Sequence, residues 1–525
     1  MAPVFHEGAE HARTASRTVR HMVSGRWAIL AAMALATAVT EFDETVMAVA
    51  LPSIDASFDA SLATVQWSVT AYVLAFAAFL IPAGRLVDAA GARRVFVWGA
   101  ALFAVASGAC ALAPTVGWLI GARVAQGLGA AVLAPASFAI VVGAFPAGER
   151  GRALGLWAAA AAVGAAVGPL GGGVLIELFG WEAIFVMGVP IALGGLAIAL
   201  AVVPRGAPGA APGPAPLSVL LLGAGLTLVL FGLEQGERVN VLAGAAIVAL
   251  GAALLAVVAV RDARDQHPLL ELRLLRIPSY LGVNAALLVA AIAWLAMLLL
   301  QGIYLQSVHA LTPLEAGLAL MPLTGAAIVS APIAGHWAER VGARSLVVGG
   351  MGCLAASLAL LAIVDAGTAY WPHLALAYAL NGIGWGMLQT PIETEAVHSV
   401  GEPRAGFVSG FLGMTYQVGA ALGIAATALS IQAIGGARLE RLLDELGVTT
   451  TELQRAGLTQ AQVEGKLGTR DVISELPGLD PAQAASVATA LRDSFLHALT
   501  VTMAAGAALV AAGAVVAARL LTGGR

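Results

Sequence analysis

"GRLVDAAGARR" occupies residues 84–94 and "GHWAERVGAR" residues 335–344. Both follow the pattern G-x-x-x-[DE]-x-x-G-x-R, carried by Gly84, Asp88, Gly91 and Arg93 in one copy and by Gly335, Glu339, Gly342 and Arg344 in the other. Each copy falls between two long apolar runs, at the same place in its half of the chain. A pattern repeated in register is what transporters built from duplicated helix bundles display. The glycines permit a tight turn. The acid can pair with arginines such as Arg94 or cap a neighbouring helix end. A single copy would read equally well as a charged loop with ordinary turn glycines; two copies in register weigh against that.

Composition agrees with a membrane setting. Of 525 residues, 59% are hydrophobic and 11% charged, where soluble domains carry about 25% charge. The mean hydropathy is +0.89. The apolar runs reach the roughly 20 residues that a helix needs to cross hydrocarbon, and they lack the alternation of barrel strands. The expected class is an all-α polytopic membrane protein, not an enzyme. Cys110 and Cys353 both lie in apolar runs and read as buried thiols, so no metal cluster and no cofactor is expected. A net charge of -4 with no long basic run speaks against nucleic acid. The bilayer, small lipophilic molecules and protons are the expected partners, and a monomer the expected state.

Fourteen apolar runs stand out, at 27–51, 65–84, 95–112, 117–143, 152–176, 183–203, 217–236, 239–259, 279–305, 315–337, 345–364, 371–391, 405–432 and 494–518. Around them the chain divides into a tail 1–26, six spans over 27–203, a Pro/Gly/Ala linker 204–216, and two spans over 217–259. A polar connector 260–278, six spans over 279–518 and a tail 519–525 follow. With the N-terminus inside, the inner segments collect Arg85, Arg93, Arg94, Arg150, Arg152, Arg340, Arg344 and Arg404, while the short outer loops carry Arg238. That bias puts both termini in the cytoplasm. The outer loop 433–493 is long and acid-rich. Its run "ARLERLLDELG" places Leu439, Leu442, Leu443 and Leu446 at helical spacing, and a second amphipathic helix is expected from Pro481, with Asp480 as its cap. A small outer hairpin that gates release or docks an extracytoplasmic partner is one reading; a tolerated insertion is the other.

The charged residues at depth carry the chemistry. "TEFDETVMAVALPSI" (40–54) puts Glu41, Asp43 and Glu44 into the first span, and "LIGARVAQGLGAA" (119–131) puts Arg123 and Gln126 into the fourth. At 1.5 Å rise per residue Asp43 lies ~12 Å and Arg123 ~9 Å below the outer ends of their helices. Each charge alone is costly in hydrocarbon, so a shared polar site is the cheaper arrangement. Such a carboxylate beside a cation suits proton carriage. The bland alternative is an arginine that snorkels to the surface. Glu41 lies about 200° around the helix from Asp43 and is expected to point elsewhere. "GAAVGPLGGG" (164–173) combines Gly164, Gly168, Gly171 and Gly172 with a kinking Pro169, a surface for close helix approach. Candidates for a substrate cavity are Glu41 and Gln126 and, more weakly, Glu234, Asn284, Trp294, Gln301, Tyr304, Asn381, Trp385 and Gln417. Glu393 and Glu395 read as groups just past the end of a span.

Together these residues resemble the major facilitator superfamily, specifically its fourteen-span drug:proton antiporters. "EFDETVMAVALP" resembles the first-span signature through Asp43, Thr45, Ala50, Leu51 and Pro52. "GRLVDAAGARR" resembles the loop signature, "LIGARVAQGLGAA" the fourth-span signature, and "GAAVGPLGGG" the antiporter signature of span five. The resemblance implies two six-helix bundles with two inserted transmembrane helices, 14 spans in all, working by alternating access on inward proton flow. It makes the motif glycines, Asp88, Arg93 and Arg94 conformational elements, and Asp43, Arg123, Glu44 and Glu41 the candidates for proton coupling. Glu41 and Glu44 are additions to the usual first-span pattern.

The leading expectation is an exporter of lipophilic, cationic drugs or toxic compounds, since acids in a cavity wall attract cations and apolar surroundings take the rest. A dedicated exporter of one endogenous metabolite, antibiotic or lipid is the runner-up. A proton-linked nutrient importer conflicts with the span-five motif, and a receptor or scaffold has no use for polar groups at depth.

Overall fold

A computed structural model describes residues 4–58, 62–204, 215–238, 241–265, 268–446 and 481–521. Helices dominate it: α1 (Val4–Phe58), α2 (Leu62–Ala90), α3 (Ala92–Ala111), α4 (Val116–Ala144), α5 (Ala147–Phe179), α6 (Glu182–Val202), α7 (Pro216–Arg238) and α8 (Val241–Asp262). Then come α9 (Pro278–Ile303), α10 (Pro313–Ala319), α11 (Met321–Val341), α12 (Ala343–Leu361), α13 (Ala375–Val400), α14 (Ala405–Leu429), α15 (Gly436–Glu445) and α16 (Pro481–Leu520). Helix overlaps every expected span. Among the described residues, ten helices are long and apolar enough to cross a membrane. Large apolar side chains such as Val105, Leu178, Leu220 and Leu250 are exposed, as a lipid-facing surface requires.

Local chemistry sets the boundaries. Gly91 before α3 has φ 92° and Gly342 before α12 has φ 78°, a backbone that favours glycine. The two occupy the same position of the repeated pattern, so both halves turn in the same way. Thr115 caps α4, its hydroxyl accepting from Trp118 N at 3.2 Å. The expected span 315–337 is broken at Leu320 into α10 and α11. Pro322 lacks the amide that a continuous helix would use there, and a reciprocal Thr312–Glu315 cap fixes the start of α10.

Two compact units share the chain. The first comprises residues 1–227, 255–272 and 396–413; the second comprises 228–254, 273–395 and 414–525. In the first, α1 packs on α4, α5 and α6, α2 on α4, and α3 on α4 and α6. In the second, α16 packs on α9, α12 and α15. The run expected to be helical at 437–447 lies in α15 as far as Glu445. Leu439 and Leu443 of α15 are buried and Leu442 half-buried, whereas Leu446 is 47% exposed and does not join the packed face. The second amphipathic stretch is not separate: it continues into the last span as one 40-residue helix. Asp480 and residues 447–480 lie outside the described residues.

Candidate functional site

Arg123 is fully buried on α4 within the first unit. Its Nη1 donates to Asp43 Oδ2 on α1 and to Gln126 Oε1 at 2.7 Å. Its Nε donates to the carbonyl of Ser68 on α2 at 3.0 Å. The guanidinium carbon lies 4.1 Å from the centre of the Tyr72 ring and 5.8 Å from that of Phe185, a cation–π arrangement on two sides. Gln126, one helical turn on, is also fully buried. Its Nε2 donates to Asp43 Oδ1 at 2.8 Å and to Ser107 Oγ on α3 at 2.9 Å. Asp43 is 5% exposed and receives one donor on each oxygen. Four helices thus supply hydrogen bonds around one ion pair, α6 adds the Phe185 ring, and the charge is neutralised locally, the condition for keeping it out of water.

The sequence placed Asp43, Arg123 and Gln126 together, and the structure brings them together. It did not find Ser68, Tyr72, Ser107 or Phe185, since a serine or aromatic residue in an apolar helix carries no periodic signal. Glu44 lies in the electric field of Arg123 and Asp43, and Glu41 in that of Glu44. Glu41 and Glu44 are three residues apart and share a face of α1, while Glu41 stays about 200° around the helix from Asp43. Both are half-buried.

Glycines build the walls. A Cβ on Gly127 would overlap Tyr72 O, and one on Gly129 would lie 2.8 Å from Phe103 N, so α4 seats tightly on α2 and α3. Along α5, a Cβ on Gly164 would overlap Ala38 O, one on Gly168 the Thr45 hydroxyl, and one on Gly172 the Val46 side chain. Gly171 faces Phe42. The span-five motif therefore clasps the turns of α1 that bear Asp43. The Pro169 side chain lies outside the described residues.

The repeated loop motif does separate work. Asp88 accepts from Gly406 N and Phe407 N, both at 2.9 Å, at the start of α14, capping its positive end. Gly84 lets the α14 backbone approach, since a Cβ there would overlap Gly406 O. Arg93 donates to Leu200 O at 2.7 Å, and Arg94 is exposed. Arg85 donates to the carbonyls of Pro268 and Leu269, pairs with Glu271 at 2.8 Å and lies 4.1 Å from the Phe407 ring. In the second copy Arg344 is exposed and Gly335 buried; the Glu339 side chain lies outside the described residues.

The other cavity candidates fall into separate groups in the second unit. Trp294 and Trp385 stack at 4.7 Å, with Tyr416 5.7 Å from Trp385. Asn284 donates to Tyr280 O and accepts from Thr415, tying α9 to α14. Tyr304 donates to Asp365 O. Gln301 accepts from Tyr378, and Asn381 donates to Ser357. Gln417 is buried on α14. The Glu234 side chain lies outside the described residues. Glu393 lies inside α13 rather than past its end, with Oε2 buried and without a partner.

The Major Facilitator Superfamily profile matches residues 33–424. The chain belongs to the Major Facilitator Superfamily. It is 34% identical over 438 residues to the methylenomycin A resistance protein of Streptomyces coelicolor, covering 81% of this chain and 90% of that one. It is 30% identical to the methyl viologen resistance protein SmvA of Salmonella typhimurium, over 92% of this chain and 96% of that one. The fold matches the crystal structure of the human organic anion transporter MFSD10, at a TM-score of 0.52 and 17% identity over 78% of this chain and 93% of that one. This member of the superfamily is a transporter, not an enzyme, a multi-pass protein of a bacterial inner membrane related to drug-resistance efflux proteins.

Proposed function

We propose that the chain is a proton-coupled antiporter that exports lipophilic, cationic compounds by alternating access, with fourteen spans, both termini in the cytoplasm, and the monomer as the working unit. The observation that carries this is the buried Asp43–Arg123–Gln126 constellation, with Glu44 the next residue of α1 and Glu41 one turn from Glu44. Protonating Asp43 removes the negative half of the pair and leaves the guanidinium with the ring of Tyr72, the Ser68 carbonyl and Gln126. An uncompensated buried charge is costly, so proton arrival and rearrangement of α1 against α4 are linked. The two further acids give a cation somewhere to bind, and methyl viologen, named in one relative, is a dication.

Asp43→Asn tests this in proteoliposomes with an imposed proton gradient. The variant is expected to fold, bind ethidium and fail to accumulate it against its gradient. Full gradient-driven accumulation by folded Asp43→Asn would sink the assignment. A second reading, export of a single antibiotic, is favoured by the similarity to a protein named for resistance to methylenomycin A. A panel of unrelated dyes with similar affinities would count against it.

A further inference from the structure

The second unit contains a constellation that matches the Asp43 site position for position and carries no charge. Counting from the duplicated motif, α9, α12 and α13 take the places of α1, α3 and α4. In the first unit Asp43 on α1 binds Arg123 on α4, and Gln126, three residues later, binds Ser107 on α3. In the second, Gln301 on α9 accepts from Tyr378 Oη on α13 at 2.8 Å, and Asn381, three residues later, donates to Ser357 Oγ on α12 at 3.2 Å. The separation along the chain from first helix to fourth is 80 residues in one unit and 77 in the other.

Charged residues have been replaced throughout: Gln301 for the aspartate, Tyr378 for the arginine. The replacement leaves two polar atoms over. Gln301 Nε2 and Asn381 Oδ1 have no hydrogen-bond partner, and their residues are 0% and 1% exposed. Gln301 Nε2 stands in the place of Asp43 Oδ1, which accepts from Gln126, and Asn381 Oδ1 in the place of Gln126 Oε1, which accepts from Arg123. One is a donor and the other an acceptor. Buried polar atoms left unsatisfied are costly and rare in native structures, so a donor and an acceptor left over in one constellation are a recognition element.

We propose that Gln301, Tyr378, Asn381 and Ser357 form a neutral hydrogen-bonding site that takes one group offering both an acceptor and a donor: a hydroxyl or carboxamide of the cargo, or a water molecule. The cargo source rests on the export reading above; the water source does not. The division of labour is then physical. The first unit holds the group that titrates, and the second holds a site whose hydrogen bonds do not change with pH.

The test uses the full chain in lipid nanodiscs with two probes: daunorubicin, a planar cation rich in hydroxyl and carbonyl groups, and tetraphenylphosphonium, a cation with neither. Asn381→Leu removes the acceptor while Ser357 keeps its bond to Ala377 O. Gln301→Met combined with Tyr378→Phe removes the donor and leaves no orphaned hydroxyl. A cargo site predicts about tenfold weaker daunorubicin binding in both variants and tetraphenylphosphonium affinity within twofold of wild type. Should both affinities stay unchanged, or should wild type bind neither probe, a cryo-EM map that resolves water decides. Density bridging Gln301 and Asn381 in wild type, absent in Asn381→Leu, assigns the site to water. Failure of wild type to bind either probe speaks against the export reading alone. A direct hydrogen bond between the two amides, with unchanged daunorubicin affinity, overturns the proposal.

Discussion

Gly168 on α5 stands so close to Thr45 on α1 that a single methyl group would overlap the threonine hydroxyl. That hydroxyl is not free to turn aside, because it donates to Glu41 O at 3.0 Å. The contact lies two residues from Asp43, so the spacing of α1 and α5 sets where the carboxylate stands.

Gly168→Ala and Gly164→Ala should therefore impair transport, Gly164→Ala more severely because its obstacle is the Ala38 backbone. Overpacking of this kind costs about 1–3 kcal/mol. Gly173→Ala, where nothing lies within 4 Å, is the control. Thermal unfolding of the purified variants, read beside efflux in cells, separates them; equal behaviour of all three would refute the clasp.

Arg123 and Asp43 should be strongly coupled in a double-mutant cycle. Arg123→Ala alone leaves a buried carboxylate without its cation, a loss of about 3–5 kcal/mol. Adding Asp43→Ala should recover part of that, giving a coupling energy of roughly 1–3 kcal/mol. Arg123→Lys keeps the charge but cannot reach Asp43, Gln126 and Ser68 together, so partial activity at best is expected. Additive unfolding free energies would exclude the pair as an energetic unit.

Asp88 should control amide exchange at the start of α14. Asp88→Ala strips the acceptor from Gly406 N and Phe407 N, and exchange at 405–408 should accelerate by about tenfold, as for a lost charge-assisted bond of ~1.5 kcal/mol. Asp88→Asn keeps an oxygen and should fall between. No change in Asp88→Ala would mean that the cap contributes nothing.

Leu439→Asp and Leu443→Asp should release α15 from α16, whereas Leu446→Asp should be tolerated. The first two side chains are 0% and 4% exposed, the last 47%. Limited proteolysis across 436–446 reads the difference directly; equal cleavage of all three would show that the helix is not packed.

The polar site was legible to the extent that its members are expensive in hydrocarbon. Asp43 and Arg123 announce themselves because neither is tolerated alone, and Gln126 follows from sharing a helical face with Arg123. Ser107, Ser357 and Tyr378 do not announce themselves, since each is tolerated in a membrane helix with or without a partner. The charge-free counterpart was therefore half visible: Gln301 and Asn381 were noted, and what joins them was not. Repetition located the turns at Gly91 and Gly342, yet the same pattern could not reveal that Asp88 reaches the start of α14, a partner more than 300 residues away in the chain. The break at Leu320 was hidden inside a run whose apolar character never lapses, where a proline acts only through its missing amide.

Helix α16 runs for 40 residues, about 60 Å at 1.5 Å per residue, twice the roughly 30 Å of a hydrocarbon core. The expected span 494–518 takes 25 of those residues, and the turns before it bury Ala484, Val487, Ala490 and Leu491. A protein fused in helical register after Leu520, where the helix ends, would hold a fixed orientation relative to the second unit, in which α16 packs on α9 and α12. Electron microscopists seeking an alignment marker on a transporter with little mass outside the bilayer have one provided by the fold.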